Sequence, residues 1–259
     1  MSGPLAVHRS GPAGDLPLVL LHAFPLDSQM WQPVLRRLSQ IPVLAIDAPG
    51  FGASPPSQEG LTGYGRQVVA ALAANGVDRA VLAGQSMGGY AALAVAEQAP
   101  QLLAGLGLLG TKASADDPPA RERRWQMIAA VERGEQQVAS SMVDALLGGT
   151  SRAQRPAIVA QLRSWLSKAP ATGLVWAQRS MATRPDRLAA LAALPAGLPS
   201  AVLHGKEDAL MTFADAQAMA GALAVPVTEL AGVGHLSALE DPDVVAGHLA
   251  ALHQRALLA

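Results

Sequence analysis

The chain has 259 residues, half of them apolar and 15% charged, with a formal net charge of −1 and no cysteine. That balance excludes intrinsic disorder and offers no steering toward nucleic acid or an anionic membrane. It also removes disulfides, thiol nucleophiles and cysteine–zinc sites. Met1–Leu5 lacks a basic segment leading into a long apolar run, and no stretch of 18 apolar residues occurs. The expected setting is therefore soluble and cytoplasmic, as a monomer or homodimer, with no nucleic-acid or membrane partner.

In chain order, Leu18–Leu21, Val43–Ile46, Ala80–Ala83, Leu102–Leu109 and Ala201–Leu203 run apolar without alternation, the mark of strands buried on both faces. Residues 226–230 add a weaker strand. Amphipathic or small-residue helices are predicted between most of them, over 28–38, 62–74, 88–99 and 212–223, with a last helix over about 242–252. Such alternation predicts an α/β fold with right-handed crossovers and a mostly parallel sheet, whose functional loops gather at the strands' carboxyl ends. Residues 111–187 break the rhythm: no buried strand is visible, and proline breaks separate helical segments. That segment reads as a helical cap inserted into a core domain made of residues 1–110 and 188–259.

Gly84-Gln85-Ser86-Met87-Gly88 sits between the strand at Ala80–Ala83 and a small-residue helix. G-x-S-x-G in that context predicts a nucleophile elbow, a strand-to-helix turn so tight that only glycines fit two residues either side of the serine. Ser86 would stand exposed there as nucleophile, with the Met87 N–H free at the helix start to bind an oxyanion. A serine nucleophile needs a base, and the base needs a carboxylate to hold its tautomer. Asp208, in the loop after Leu203, and His235, in the glycine-flanked loop Gly232–Leu236, supply them in the order Ser…Asp…His. Glu207 and Asp215 are close competitors for Asp208. Asp116 and Asp117 are more distant ones, past a loop from a strand end that carries no carboxylate. A second oxyanion donor is expected from the Phe24 N–H in His22-Ala23-Phe24-Pro25-Leu26, where His22 buttresses the loop rather than reacts. A substrate pocket for a small molecule with an apolar portion is expected under the cap. It would be lined by Trp125, Met142, Leu146 and Trp165, with His22, Leu26 and Leu236 from the core loops.

Four segments, residues 22–26, 47–54 and 84–89 and the Asp208/His235 pair, resemble the α/β-hydrolase fold family over nearly the whole chain. The resemblance implies an eight-stranded, mostly parallel sheet with its second strand antiparallel, flanked by helices, and a cap after the sixth strand. Within the family the chain looks similar to small capped carboxylesterases and enol-lactone hydrolases. Ala23 stands where many relatives have glycine. An elbow serine rather than aspartate separates the chain from haloalkane dehalogenases and epoxide hydrolases.

Gly105-Leu106-Gly107-Leu108-Leu109-Gly110 matches a dinucleotide fingerprint only literally, because its glycines lie inside a strand and a loop follows. No H-E-x-x-H pattern suggests a metal, so neither cofactor nor metal is called for. Arg121, Arg123 and Arg124 read as a solvated face of the cap, with attraction of an anionic substrate as their functional alternative. The expected chemistry is acyl transfer from a carboxylic ester or lactone to water. Carbon–carbon bond hydrolysis and cofactor-free perhydrolase or haloperoxidase chemistry remain open at the same residues. From another class, a ligand-binding receptor with slow turnover also remains open.

Overall fold

The computed structural model describes residues 3–135 and 139–259. Its strands are β1 (Val7–Ser10), β2 (Leu18–Leu21), β3 (Val43–Ile46), β4 (Ala80–Gln85), β5 (Leu103–Leu109), β6 (Ser200–Gly205) and β7 (Val227–Leu230). The core helices are α1 (Gln32–Leu35), α2 (Leu61–Ala74) and α3 (Met87–Gln98). Between β5 and β6 come α4 (Pro118–Glu132), α5 (Val143–Leu146), α6 (Gly149–Gln154), α7 (Pro156–Leu166), α8 (Ala171–Ala182) and α9 (Leu188–Ala192). The chain closes with α10 (Phe213–Ala222), α11 (Ser237–Glu240) and α12 (Pro242–Leu258).

The strands form one sheet in the order β1-β3-β2-β4-β5-β6-β7, parallel throughout except for β1 against β3. Every residue of β2, β3, β4 and β5 is buried, as expected of strands covered by helices on both faces. The sheet therefore has seven strands among the described residues rather than eight. Its antiparallel strand is the first rather than the second, and the helical insertion follows the fifth strand rather than the sixth. Ahead of β1, the Ala6 carbonyl accepts from the Asp47 N–H, one step beyond the Val7–Ile46 pair, and the Ala6 N–H donates to Ser54 Oγ. No apolar run marks β1 in the sequence, because Val-His-Arg-Ser is an edge strand with two exposed polar side chains.

The order β2-β4-β5 brings the ends of three central strands side by side, and α3 leaves β4 directly over that edge. The approach is close enough to dictate sequence. A Cβ on Gly88 would lie 2.1 Å from the Leu21 carbonyl oxygen, and one on Gly84 would lie 2.2 Å from the Gly88 carbonyl oxygen. Gly88→Ala is expected to destabilise the fold by about 1–3 kcal/mol through overpacking. Thermal unfolding measures this directly, and an unchanged Tm contradicts the contact.

Candidate active site

Ser86 is the single residue between β4 and α3, with φ 54° and ψ −115°, a left-handed setting that costs an L-residue about 1–3 kcal/mol. Neighbouring elements over-determine it. The Ser86 N–H donates to the Leu109 carbonyl at 2.9 Å, and the Ser86 carbonyl accepts from Thr111 Oγ1 at 2.8 Å and from the Gly89 N–H at 2.9 Å. The hydroxyl is thereby raised above the strand ends, with the residue 7% exposed.

His235 lies in the loop between β7 and α11, its Nε2 2.7 Å from Ser86 Oγ and its Nδ1 2.9 Å from Asp208 Oδ2. Asp208 follows β6, and its Oδ1 also accepts from the N–H groups of Leu210 (2.8 Å) and Met211 (3.0 Å). Burial pushes the Asp208 carboxyl up, but the charge and hydrogen bond of His235 and those two N–H groups outweigh it and hold it below the usual range. An ionised carboxylate can only accept, so the network assigns the imidazole proton to Nδ1 and leaves Nε2 to accept from the serine hydroxyl. An imidazole so placed can take the hydroxyl proton as the oxygen attacks.

The competing carboxylates are occupied elsewhere. Glu207 accepts from the N–H and Oγ1 of Thr150, Asp215 closes a capping box with Thr212, and Asp117 caps α4 through the Ala120 N–H. Asp116 pairs with arginines. The N–H groups of Phe24 and Met87 donate to no acceptor among the described residues. His22 is fully buried and accepts from the Ala48 N–H through Nε2 at 2.8 Å, while Nδ1 faces the Ala23 carbonyl at 3.0 Å. It ties the loop carrying Phe24 to the one carrying Ala48, and burial pushes its basicity down.

Ser86 and His235 open into a cavity of about 590 Å³ whose apolar lining includes Phe24, Tyr90, Met127, Met142, Leu146 and Met181. Lys112, Arg123, Arg124 and Asp116 line its polar side. Of the pocket residues expected from sequence, Met142 and Leu146 are there. His22, Leu26 and Leu236 are instead buried in the core. Trp125 is 41% exposed, on the solvent face of α4. Trp165 borders a separate groove with Pro25 and Leu26. Helical periodicity marks which residues of a cap are apolar but not which face turns to the sheet.

Two residues that hold the site escaped the sequence analysis. Gln85, a free position of the elbow motif, donates from Nε2 to the His235 carbonyl at 2.7 Å and to Ser237 Oγ at 3.2 Å. Glu240 is 3% exposed, and its carboxylate accepts from the N–H groups of Gly234 (3.0 Å), Leu236 (3.2 Å) and Gly148 (2.9 Å). It makes no ion pair among the described residues, and the loop it braces on both flanks carries His235. Neither residue has a signal in a single sequence, since a lone glutamine or glutamate matches no spacing rule.

A mostly parallel sheet with a serine at a strand-to-helix elbow, facing a loop histidine at the same sheet edge, defines an α/β hydrolase. The chain belongs to the Alpha/beta hydrolase family, which it matches over residues 18–248. It is 30% identical over 253 residues to 2-succinyl-6-hydroxy-2,4-cyclohexadiene-1-carboxylate synthase of Enterobacter sp., covering 93% of each chain. It is 33% identical over 213 residues to the biotin biosynthesis bifunctional protein BioHC of Cellvibrio japonicus, covering 79% of this chain but only 40% of that longer protein. Among solved structures, a thermophilic esterase from Thermogutta terrifontis, malate bound, superposes with a TM-score of 0.90 at 30% identity, covering 97% of this chain and 93% of that one.

Two predictions concern the framework. Glu240→Gln turns one acceptor oxygen into a donor facing N–H groups, and is expected to destabilise by about 1–3 kcal/mol. Faster amide exchange at Gly234 and Leu236 would report the loosened loop. Asp208 and Asp116 both have folded-state pKa values below their unfolded ones. Their stabilisation is complete above the unfolded carboxyl value of about 3.9 and is lost as pH falls through the folded values. Tm measured from pH 7 to 3 should hold and then drop below about pH 4; a flat profile contradicts the assignment.

Proposed function

We propose that the protein is a serine hydrolase that cleaves a carboxylic ester or lactone through an acyl-enzyme. The observation that carries this reading is His235 Nε2 at 2.7 Å from Ser86 Oγ, with Asp208 bound to the other ring nitrogen. Ser86 Oγ attacks the carbonyl carbon as His235 takes its proton, and the oxyanion is met by the N–H groups of Phe24 and Met87. The imidazolium, steadied by Asp208, protonates the leaving alkoxide as the C–O bond breaks. Water then attacks the acyl-enzyme with its proton passing to His235, which returns a proton to Ser86 as the acid leaves. Every step uses protein groups and water, and the apolar side of the cavity suits a substrate with a hydrocarbon portion. The similarity to an esterase structure supports this reading.

A second reading, a non-hydrolytic reaction at the same serine, draws on the near full-length similarity to the cyclohexadiene-carboxylate synthase. Hydrolysis of p-nitrophenyl esters from acetate to decanoate separates the two. The hydrolase reading expects turnover peaking at one acyl length and reduced on the order of 10³-fold or more in Ser86→Ala. Turnover that survives in the variant removes the role given to Ser86, and no turnover on any ester favours the second reading.

A further inference from the structure

The polar wall of the cavity is overcharged. Asp116, with its side chain 1% exposed, is shared by three cations: Arg184 Nη2 at 2.8 Å, Arg124 through Nε, and Lys112 Nζ at 3.4 Å. The three are themselves largely enclosed, with side chains 2%, 18% and 18% exposed. Burial pushes the Asp116 carboxyl up, but the hydrogen bonds and charges of Arg184 and Arg124 hold it well below the ordinary range, so it is ionised. One negative charge thus faces three positive ones in surroundings poor in water, where uncompensated charge is costly.

The cations differ in what occupies them. Arg184 is spent on the protein: its guanidinium lies 4.0 Å over the Tyr90 ring and donates to the Met181 and Ser114 carbonyls. Arg124 also reaches Gln178 Oε1. Among the described residues Lys112 has only the 3.4 Å contact to Asp116, and the exposed Arg123, on the same cavity, makes no ion pair or hydrogen bond. Asp117 and Asp215 line the cavity too, but each carboxylate is taken by its own helix cap and neither pairs with these cations. Lining carboxylates Asp116, Asp117 and Asp215 balance the lining cations Lys112, Arg123 and Arg124, and Arg184, enclosed against Asp116, adds one positive charge in excess, the complement of a single carboxylate.

We propose that the substrate is anionic, an ester or lactone whose acyl part carries a free carboxylate received by Lys112 and Arg123. The reaction named here rests on the hydrolase reading above; the binding does not. Lys112 follows Thr111, whose hydroxyl bonds to the Ser86 backbone carbonyl, and both Lys112 and Ser86 line the cavity. A half-ester of a short dicarboxylic acid has the matching chemistry, one carboxylate for the cations and neutral methylenes for the apolar lining that includes Met142, Leu146 and Met181.

The test compares p-nitrophenyl hydrogen glutarate with neutral p-nitrophenyl valerate. The kcat/KM ratio is expected to favour the glutarate by about tenfold, the worth of roughly 1.4 kcal/mol. Lys112→Met and the exposed-site variant Arg123→Gln should each lower that ratio several-fold, and Lys112→Arg should restore it. A wild-type ratio of one or below, or a ratio indifferent to both substitutions, overturns the proposal and leaves ester hydrolysis standing. If neither ester turns over, calorimetry of glutarate with the Ser86→Ala protein decides. Binding that weakens on adding Lys112→Met upholds the anionic site and strikes only the hydrolase reading, whereas absence of binding overturns the site.

Discussion

Ser86 adopts a backbone conformation that an L-residue avoids, and the surrounding architecture is arranged to keep it there. The turn must fit between β4 and α3, so α3 runs back across the sheet against Leu21, and glycines replace side chains where backbones nearly touch. Hydrogen bonds from the ends of β5 and α3 hold the residue from both sides. The strain is local and of the order of 1–3 kcal/mol, while the four wholly buried strands β2 to β5 supply opposing stability. The conformation lifts a hydroxyl clear of the strand edge and leaves the first N–H of a helix beside it.

Everything else at the site is alignment to that hydroxyl. β6 and β7 end at the same edge and deliver Asp208 and His235 on short loops. Gln85 grips the His235 carbonyl from the elbow itself, so the residue beside the serine also fixes the imidazole loop. Glu240 and Glu207 bind the same loops to the insertion through backbone N–H groups at Gly148 and Thr150. The polar wall carrying Lys112 grows out of the end of β5, so recognition and reaction share one set of strand ends.

How much of this was legible depends on whether the chain wrote it locally. The elbow is a local pattern, five residues between an apolar run and a small-residue helix, and its strand and helix stand where the sequence places them. Asp208 and His235 follow strands that could be read, so their convergence with Ser86 could be anticipated from parallel topology alone. β1 could not, because an edge strand with polar faces lacks the apolar run that marks the others. The pocket failed for a different reason. Trp125 and Trp165 are large and apolar, yet the orientation of the insertion helices is set by tertiary contacts, and one turns its tryptophan outward. Gln85, Glu240 and the sharing of Asp116 by three cations are relations between distant residues, which no single-sequence spacing rule encodes.

The seam between insertion and core bears on how such a chain can diversify. Gly148 and Gly234 approach so closely that a Cβ on Gly234 would fall 2.2 Å from the Gly148 nitrogen, and Glu240 binds both N–H groups. The insertion is therefore not a detachable cassette. A helical segment grafted from another hydrolase between β5 and β6 would have to bring its own side-chain-free residue and N–H to this point, or the loop holding His235 would lose a supporting wall. Helix α8 carries a like obligation, since a Cβ on Gly173 would fall 2.6 Å from the Gly50 carbonyl oxygen. A graft would thus have to satisfy two seams at once, the stretch from Leu146 to Thr150 beside the His235 loop and Gly173 beside Gly50.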